Sequence, residues 1–259
     1  MIEMLPIAAS LAAPVALACV TWALSVHRRD VSIVDMAWGL LVLAPALVIA
    51  ALRGGPRAPI VLILAAAWAV RLGGHIAWRH RGQPEDRRYQ EIRRRNEPYF
   101  AWKSLYLIFL LQAVLAWIVS APIAAAAASP ANWTALDRIG LALVAFGLLF
   151  ETVADAQLAR FRRRRASDAA REKRVLDAGL WRYSRHPNYF GECCLWWGFW
   201  LIALAGGAAW TIVSPLLMTV LLLRVSGVTL LEKHLASDHP GYDDYVQRTS
   251  AFIPWRPRP

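Results

Sequence analysis

Seven long apolar stretches, separated by shorter polar segments, make up most of the chain. They cover about residues 5–26, 31–52, 58–79, 102–128, 136–157, 190–206 and 209–231. A helix needs ~20 mostly apolar residues to cross the hydrocarbon core of a bilayer, and most of these stretches reach that length. The pattern therefore predicts an all-α, polytopic membrane protein with seven transmembrane helices, which together form a single domain over residues 1–259.

Composition supports a membrane protein. The 259 residues are 58% hydrophobic and only 18% charged, which is too apolar for an ordinary soluble domain of this length. The first stretch lacks the basic segment and the small-residue cleavage site of a signal peptide, so we expect it to be retained as a span. Cys19, Cys193 and Cys194 lie in apolar stretches and are interpreted as packing residues.

The formal net charge of +11 is distributed unevenly between the two ends of the predicted helices. Eight basic residues lie between helices 3 and 4 and ten between helices 5 and 6, whereas the connection of helices 4 and 5 has only Arg138. Cytoplasmic loops are enriched in Lys and Arg, so this asymmetry predicts an outside N-terminus and a cytoplasmic C-terminus. Because topology accounts for the charge, nucleic acid is not an expected partner.

Several ionisable residues fall inside the predicted helices, within about two turns of the cytoplasmic ends at ~1.5 Å per residue. They are Asp35, Arg71, Glu151, Asp155, Glu192 and Arg224. Each one alone is explained by snorkelling or helix capping, but charges inside membrane helices commonly mark functional sites. Their shared depth on five helices predicts a polar cavity that opens to the cytoplasm.

A run of arginines follows the acids of helix 5. Glu151 and Asp155 share one helix face, and five arginines lie between Arg160 and Arg165. Guanidinium groups pair bidentately with phosphate, so this segment suits a molecule with phosphates at one end and hydroxyls or an amide at the other, as in a nucleotide cofactor. The alternative is a solvated basic surface that lies against the membrane.

The segment "WRYSRHPNYFGE", residues 181–192, precedes the apolar part of helix 6. Pro187 disfavours a helical conformation at His186, so we expect a turn at residues 186–188 that starts the helix, with Asn188 as its N-cap. This structural interpretation leaves unexplained why so many polar and aromatic side chains lie where the cavity should open.

Within this segment, "RHPNYFGE" closely resembles the motif of the integral-membrane steroid 5α-reductases and the related C-14 sterol reductases. A looser RHPxYxG pattern also occurs in isoprenylcysteine and phospholipid methyltransferases. The resemblance extends through "ETVADAQLARFRR" and the terminal "HPGYDDYVQRTSAFIPW". Seven spans with an outside N-terminus are also typical of the reductases, and the chain looks most like a bacterial homologue of that family.

The resemblance implies an NADPH site in residues 101–259. Asp155 and Arg162 match an acid and an Arg-rich segment that bind NADPH in the reductases, although the family has Asn where this chain has Glu151. The other residues that the resemblance places at the cofactor are Arg165, Tyr183, Arg185, His186, Asn188, Tyr189, Glu192, Arg224, His234 and Tyr245.

The resemblance also implies a substrate site in residues 1–100. The reductases hold the steroid 3-keto oxygen with an acid on helix 2, which Asp35 matches, and with a Tyr on helix 3, where this chain has Trp68. Tyr89 is the predicted substitute for that phenol. Trp38, Trp68 and Arg71 are expected to line the substrate cavity.

The chemistry implied by the resemblance is reduction of an enone. Hydride addition to C5 of a 3-oxo-Δ4-steroid develops negative charge on the ketone oxygen, so a donor aimed at that oxygen lowers the barrier. Asp35, removed from water in the bilayer, is expected to stay protonated and to act as this donor. The prediction is an NADPH-dependent oxidoreductase of the bacterial inner membrane, with a cytoplasmic cofactor site, an apolar steroid or enone lipid substrate that enters from the membrane lipid, and no obligate protein partner.

Two other functions remain open. A membrane methyltransferase that uses S-adenosylmethionine would account for Asp155 and Glu192, since acids suit ribose hydroxyls or an amine, but would leave the arginines without phosphates. A non-enzymatic lipid binder or transporter fits an intramembrane cavity, although no inverted repeat is visible.

Motifs for other cofactor sites are missing from the sequence. There is no GxGxxG after a strand, no GxxxxGK[ST], no HExxH and no GxSxG, so neither a Rossmann domain nor a P-loop nor a metal site is predicted. Within the reductase interpretation, the many arginines favour NADPH over NADH because a 2′-phosphate binds guanidinium groups.

Overall fold

A computed structural model describes residues 4–166, 175–225 and 242–258. All regular elements in these ranges are helical, with no strand among them, which confirms the predicted all-α class. The helices are α1 (Met4–Arg28), α2 (Ile33–Arg53), α3 (Ala58–His80), α4 (Arg87–Asn96), α5 (Phe100–Val119), α6 (Ala121–Ala128), α7 (Ala135–Ala166), α8 (Pro187–Ala205), α9 (Ala209–Arg224) and α10 (Tyr242–Arg248).

Helices α1, α2, α3, α5 and α7 are long and apolar enough to cross a membrane, so the protein is a membrane protein. The sixth and seventh predicted stretches correspond to α8 and α9. α8 has 19 residues but begins with the polar motif, and α9 is a shorter apolar helix. The total of seven spans and their orientation stay predictions.

Two predicted helix boundaries are wrong. The stretch 102–128 is interrupted after α5 because Pro122 lacks the amide hydrogen that would continue the helical bonding pattern. The fifth stretch does not end near residue 157, since α7 continues to Ala166. Arg and Ala are good helix formers, and the arginine run extends the helix instead of starting a loop.

The chain divides into two compact units. The first unit comprises Met1–Ala135 and Ile202–Ser214, and the second comprises Leu136–Leu201 and Pro215–Pro259. The predicted substrate side, residues 1–100, lies wholly within the first unit, whereas residues 101–259 contribute to both units. The interpretation of residues 1–259 as one domain stays a prediction.

Helix α2 is central in the first unit, where it contacts α1, α3, α5 and α6. Its buried face includes Val34, Leu41 and Val42. Gly39 allows a close approach to α3, because a Cβ atom at this position would lie 2.7 Å from the Ala69 Cα atom. α5 contains a π-helical segment, Leu105–Leu110, and such segments are frequent at functional sites.

Helices α7 and α8 pack closely in the second unit. A Cβ atom on Gly147 would lie 2.5 Å from the Gly191 carbonyl oxygen, and one on Gly198 would lie 2.7 Å from the Val144 nitrogen. These glycines let the two backbones meet. The contact explains in structural terms why the motif carries a glycine at position 191.

Candidate functional site

The first turn of α2 and the buried side of α4 bring two of the predicted site residues into contact. The Tyr89 hydroxyl donates a hydrogen bond to Asp35 Oδ1 at 2.6 Å. The side-chain amide of Gln112, on α5, donates to the Tyr89 oxygen at 3.3 Å. Tyr89 is only 6% exposed, so its hydroxyl lies in a protected polar position between three helices.

Arg88 binds the second oxygen of Asp35. Its guanidinium donates to Asp35 Oδ2 at 3.0 Å and to Asp86 Oδ1 at 2.9 Å, and its Cζ atom lies 5.5 Å from the centre of the Tyr89 ring. Asp35 therefore accepts a hydrogen bond at each oxygen. In this arrangement the Tyr89 hydroxyl is the donor and the Asp35 carboxyl group is the acceptor.

The environment of Tyr89 keeps its hydroxyl protonated. Burial raises the pKa of Tyr89 well above its usual value, and the neighbouring Asp35 raises it further, while Arg88 and Gln112 oppose the change. The phenol is therefore neutral throughout the physiological pH range and keeps the hydrogen that it donates to Asp35.

The loop before α4 explains why the helix forms at this place. The Asp86 side chain caps α4 by accepting from the Arg88 amide at 2.9 Å, which satisfies an otherwise unpaired amide of the first turn. The Asp86 amide in turn donates to the Ser32 hydroxyl oxygen at 2.8 Å, just before α2 begins. These bonds fix the start of α4 against the start of α2.

A second set of contacts attaches the same loop to the turn between α1 and α2. Glu85 accepts from the Val31 amide at 2.9 Å and from the Arg93 guanidinium at 2.8 Å. His80 Nε2, at the end of α3, lies 2.8 Å from Asp30 Oδ2.

Sequence reasoning missed Arg88 and Gln112 as neighbours of the Asp35–Tyr89 pair. Their only signal was that Arg88 is adjacent to Tyr89 and that Gln112 is polar within an apolar stretch.

The predicted substrate-cavity residues occupy different environments in the first unit. Trp68 on α3 is fully buried, so its indole is part of the helix packing. Trp38 on α2 and Arg71 on α3 are partly exposed. Their roles toward a substrate stay predictions.

In the second unit, the motif and α7 bring two predicted cofactor residues together. The Asn188 amide donates to Asp155 Oδ1 at 3.1 Å. The prediction that Asn188 is the N-cap is wrong, because α8 already begins at Pro187, whose fixed φ suits the first helical position. The Asn188 side chain is thereby directed to α7 instead of to the amides of its own helix.

Two further acids lie close in sequence to this pair and are buried. Glu151 is one turn before Asp155 on α7, and Glu192 is one turn after Asn188 on α8. Glu192 Oε1 accepts from the Trp196 indole nitrogen at 2.9 Å. Carboxylate and amide groups of this kind can bind hydroxyl and carboxamide groups of a ligand.

The C-terminal segment binds the loop that carries the motif. The Trp255 amide donates to the Tyr183 carbonyl at 2.9 Å, and the Ser184 hydroxyl donates to the Phe252 carbonyl at 2.7 Å. Buried Tyr245 donates its hydroxyl to the Trp181 carbonyl. Tyr245, which the resemblance placed at the cofactor, thus positions the motif loop. Sequence reasoning missed the contact between the C-terminal segment and the motif loop because no periodic pattern in the sequence indicates it.

Comparison with known proteins identifies the family. The chain matches, over residues 21–249, the family described as a protein of unknown function, DUF1295. It belongs to the DUF1295 family. It is 26% identical to an uncharacterized protein of Schizosaccharomyces pombe, in an alignment that covers 91% of this chain and 76% of that protein. No solved structure matches the chain.

The DUF1295 match includes both residue pairs, Asp35 with Tyr89 and Asp155 with Asn188, whereas Trp255 lies beyond its end. Both pairs are thus built from the portion of the chain that defines the family. The relative carries no function in its description, so the match adds family membership and no activity.

The remaining predicted cofactor residues are dispersed in the second unit. His186 is buried and its ring stacks on Tyr189 with centroids 5.5 Å apart. Arg185 donates to the Val246 carbonyl at 2.9 Å, and Tyr183 is exposed. Arg162 and Arg224 are exposed near the ends of α7 and α9. The Arg165 side chain and all of His234 lie outside the described residues. The other predicted cofactor residues are the four already located on α7 and α8, namely Glu151, Asp155, Asn188 and Glu192.

Proposed function

We propose that this DUF1295 protein is an NADPH-dependent membrane reductase that reduces the C4–C5 double bond of a 3-oxo-Δ4-steroid or a similar enone lipid. The observation that carries the proposal is the hydrogen bond between Tyr89 and Asp35, one turn into a candidate membrane helix. The resemblance of the motif to steroid 5α-reductases and the relation of DUF1295 to that superfamily support it.

Tyr89 supplies the donor for the ketone oxygen by turning its single hydroxyl hydrogen, which Asp35 accepts in the structure, to the ketone oxygen when the substrate binds. When hydride reaches C5, negative charge develops on that oxygen, and a preorganised hydroxyl in a site with little water stabilises it. Asp35 orients the phenol, while Arg88 holds Asp35 and lies over the phenol ring. Water delivers the proton to C4. Asp35 is thus proposed as a partner of the donor, which differs from the expectation that it donates as a neutral acid.

The second unit supplies groups that fit a dinucleotide. Asp155 and Asn188 offer a carboxylate and an amide for hydroxyl or carboxamide groups, and Arg162 offers an exposed guanidinium for phosphate. When bound, NADPH supplies the hydride. Glu151, Glu192, Arg185, His186 and Tyr189 are proposed to shape the same site.

The proposed topology follows the charge distribution. α8 and α9 would be the sixth and seventh spans, with the N-terminus outside and the cofactor groups facing the cytoplasm. We propose the inner membrane of a bacterium as the location, while the S. pombe relative shows that similar chains also occur in eukaryotes. Membrane lipid and an apolar enone are the proposed partners, without an obligate protein partner or nucleic acid.

The test measures turnover of the purified protein. Progesterone or testosterone is incubated with NADPH that carries deuterium at the transferable position, and products are analysed by mass spectrometry. We expect one deuterium and one solvent hydrogen in the product, and a large loss of this product for Asp35→Asn. Asp243→Asn, which removes an exposed carboxylate on α10, is the control and should retain activity. Methylation of a lipid with S-adenosylmethionine, without reduction, would show that the methyltransferase interpretation is right.

A further inference from the structure

Helix α4 and the start of α5 carry a surface that the proposed reduction does not use. We name it the arginine–aromatic surface. Tyr99, Trp102 and Tyr106 are 75%, 67% and 57% exposed there. Arg87, Arg94 and Arg95 are also exposed, and no hydrogen bond or ion pair joins these three arginines to any residue that the structure describes. The arginine–aromatic surface is therefore defined by six residues: Arg87, Arg94, Arg95, Tyr99, Trp102 and Tyr106.

The arginines of α4 are used in two different ways. Arg88 and Arg93 point to the protein, where they bind Asp35 and Glu85. Arg94 and Arg95 are exposed and bind no residue that the structure describes. The arginines are therefore not all required to hold α4 in place, and the exposed ones are available to a partner with negative charge.

The position of this surface along the membrane helices is fixed by short connections. Only residues 97–99 separate α4 from α5, and three residues span at most ~10 Å. Trp22, near the end of α1, contacts Trp102 with ring centroids 5.2 Å apart and donates to the Ala101 carbonyl at 2.8 Å. Arg94 and Arg95 thus lie at the level where candidate membrane helices begin or end.

We propose that the arginine–aromatic surface binds the headgroups of anionic phospholipids. Guanidinium groups bind phosphate with bidentate hydrogen bonds, and clusters of basic residues beside membrane helices attract anionic lipids. Tyr and Trp are enriched at the membrane–water interface, which accounts for the exposed rings beside the arginines. A soluble nucleotide would satisfy the arginines but would leave these rings uncovered.

The surface is coupled to the proposed site because both lie on α4. Lipid phosphates on Arg94 and Arg95 hold the last turn of the helix, while the bonds of Tyr89 and Arg88 to Asp35 hold its first turn. Anionic lipid should therefore stabilise α4 in the position that places Tyr89 beside Asp35. The proposal does not depend on the reductase activity, and it is tested without turnover.

The experiment measures amide hydrogen exchange of α4 in the full-length protein. The protein is placed in nanodiscs of phosphatidylcholine alone or of phosphatidylcholine mixed with phosphatidylglycerol. We expect exchange to be at least about fivefold slower with phosphatidylglycerol. The variant R94Q/R95Q should lose this difference, whereas R53Q/R138Q, which removes two exposed arginines elsewhere, should keep it.

Other arms of the experiment separate the alternatives. Raising the salt concentration should weaken the lipid effect in the wild type, because exposed charges are screened, and this arm needs no variant to fold. Equal exchange in the two lipids, or an unchanged lipid effect in R94Q/R95Q, would overturn the proposal. If NADPH protects α4 in phosphatidylcholine alone and phosphatidylglycerol does not, the arginines bind a nucleotide and the lipid proposal is wrong.

Discussion

The Tyr89 hydroxyl lies 2.6 Å from Asp35 Oδ1, although the two residues are 54 positions apart in sequence. The contact exists because α4 is capped by Asp86 and attached to the start of α2 through Ser32. Asp35 would otherwise be a carboxylate one turn inside a candidate membrane helix, where an unpaired charge is costly. The short polar helix therefore stabilises the acid and supplies it with a phenol.

Replacing Tyr89 with Phe should remove the donor while keeping the ring. We expect kcat for enone reduction to fall by about 10²–10³, the usual cost of losing one donor to a developing oxyanion, with a smaller change in KM. Product formation by mass spectrometry measures the effect. Asp243→Asn, at an exposed position of α10 that belongs to neither proposed site, is the control. Wild-type kcat in Tyr89→Phe would show that Tyr89 does not donate to the substrate.

Raising the pH should lower the rate of reduction through Tyr89 only above about pH 10. Burial first, and Asp35 second, raise the pKa of Tyr89 above its usual value of about 10. A raised pKa keeps the phenol neutral to higher pH, so the donor is intact below pH ~10 and is lost only as pH rises through the higher folded value. A pH profile of kcat should therefore show no decline due to Tyr89 up to about pH 10. A decline near pH 8 that is absent in Tyr89→Phe would contradict this assignment.

Acid pH should weaken the hydrogen bonds between Asp86 and Arg88 that stabilise the first turn of α4. Burial alone would raise the pKa of Asp86, but hydrogen bonds from the Arg88 side chain and amide outweigh burial and lower it. The stabilisation is therefore complete above the usual carboxyl pKa of about 4 and is lost as pH falls through the lower folded value. Hydrogen exchange of α4, corrected for the intrinsic pH dependence, should increase below about pH 4. Asp86→Asn, whose amide can still cap the helix, should weaken this dependence, and an unchanged profile would exclude Asp86 as its source.

The sequence predicted the helical fold better than the contacts between helices. Apolar length identified α1, α2 and α3 closely, because membrane helices need that length regardless of their neighbours. The boundary of α7 was missed because arginines were interpreted as a loop, although they propagate a helix well. The end of α5 was missed because hydropathy does not register that Pro122 interrupts helical bonding.

The candidate site was predictable in parts. Asp35 was identified as a charge in an apolar stretch, and Tyr89 only as a replacement for the phenol that Trp68 does not supply. The bonds from Arg88 and Gln112 depend on how α4 and α5 are placed in three dimensions. A pattern along one chain does not determine such contacts, because they join elements through tertiary packing.

Changing Asn188 to Asp should weaken NADPH binding. The substitution replaces the amide that donates to Asp155 at 3.1 Å with a second carboxylate, and two like charges at this distance repel each other. We expect Kd for NADPH to rise by about tenfold or more, corresponding to ~1.4 kcal/mol, in equilibrium binding followed by fluorescence. Asn132→Asp, at an exposed position, should leave Kd unchanged. An unaltered Kd in Asn188→Asp would remove this pair from the proposed nucleotide site.

Adding a methyl group at Gly191 should separate α7 from α8. Its Cβ atom would lie 2.7 Å from the Glu151 amide nitrogen and 2.8 Å from the Gly147 carbonyl oxygen, and such overpacking typically costs about 1–3 kcal/mol. Gly191→Ala should therefore lower the midpoint of thermal unfolding in detergent, measured by circular dichroism. Gly74→Ala is the matched control, since no atom lies within 4 Å of its added Cβ and Ala is favoured over Gly in a helix by up to ~1 kcal/mol. Equal midpoints for the two variants would mean that α7 and α8 are not held as closely as Gly147 and Gly191 indicate.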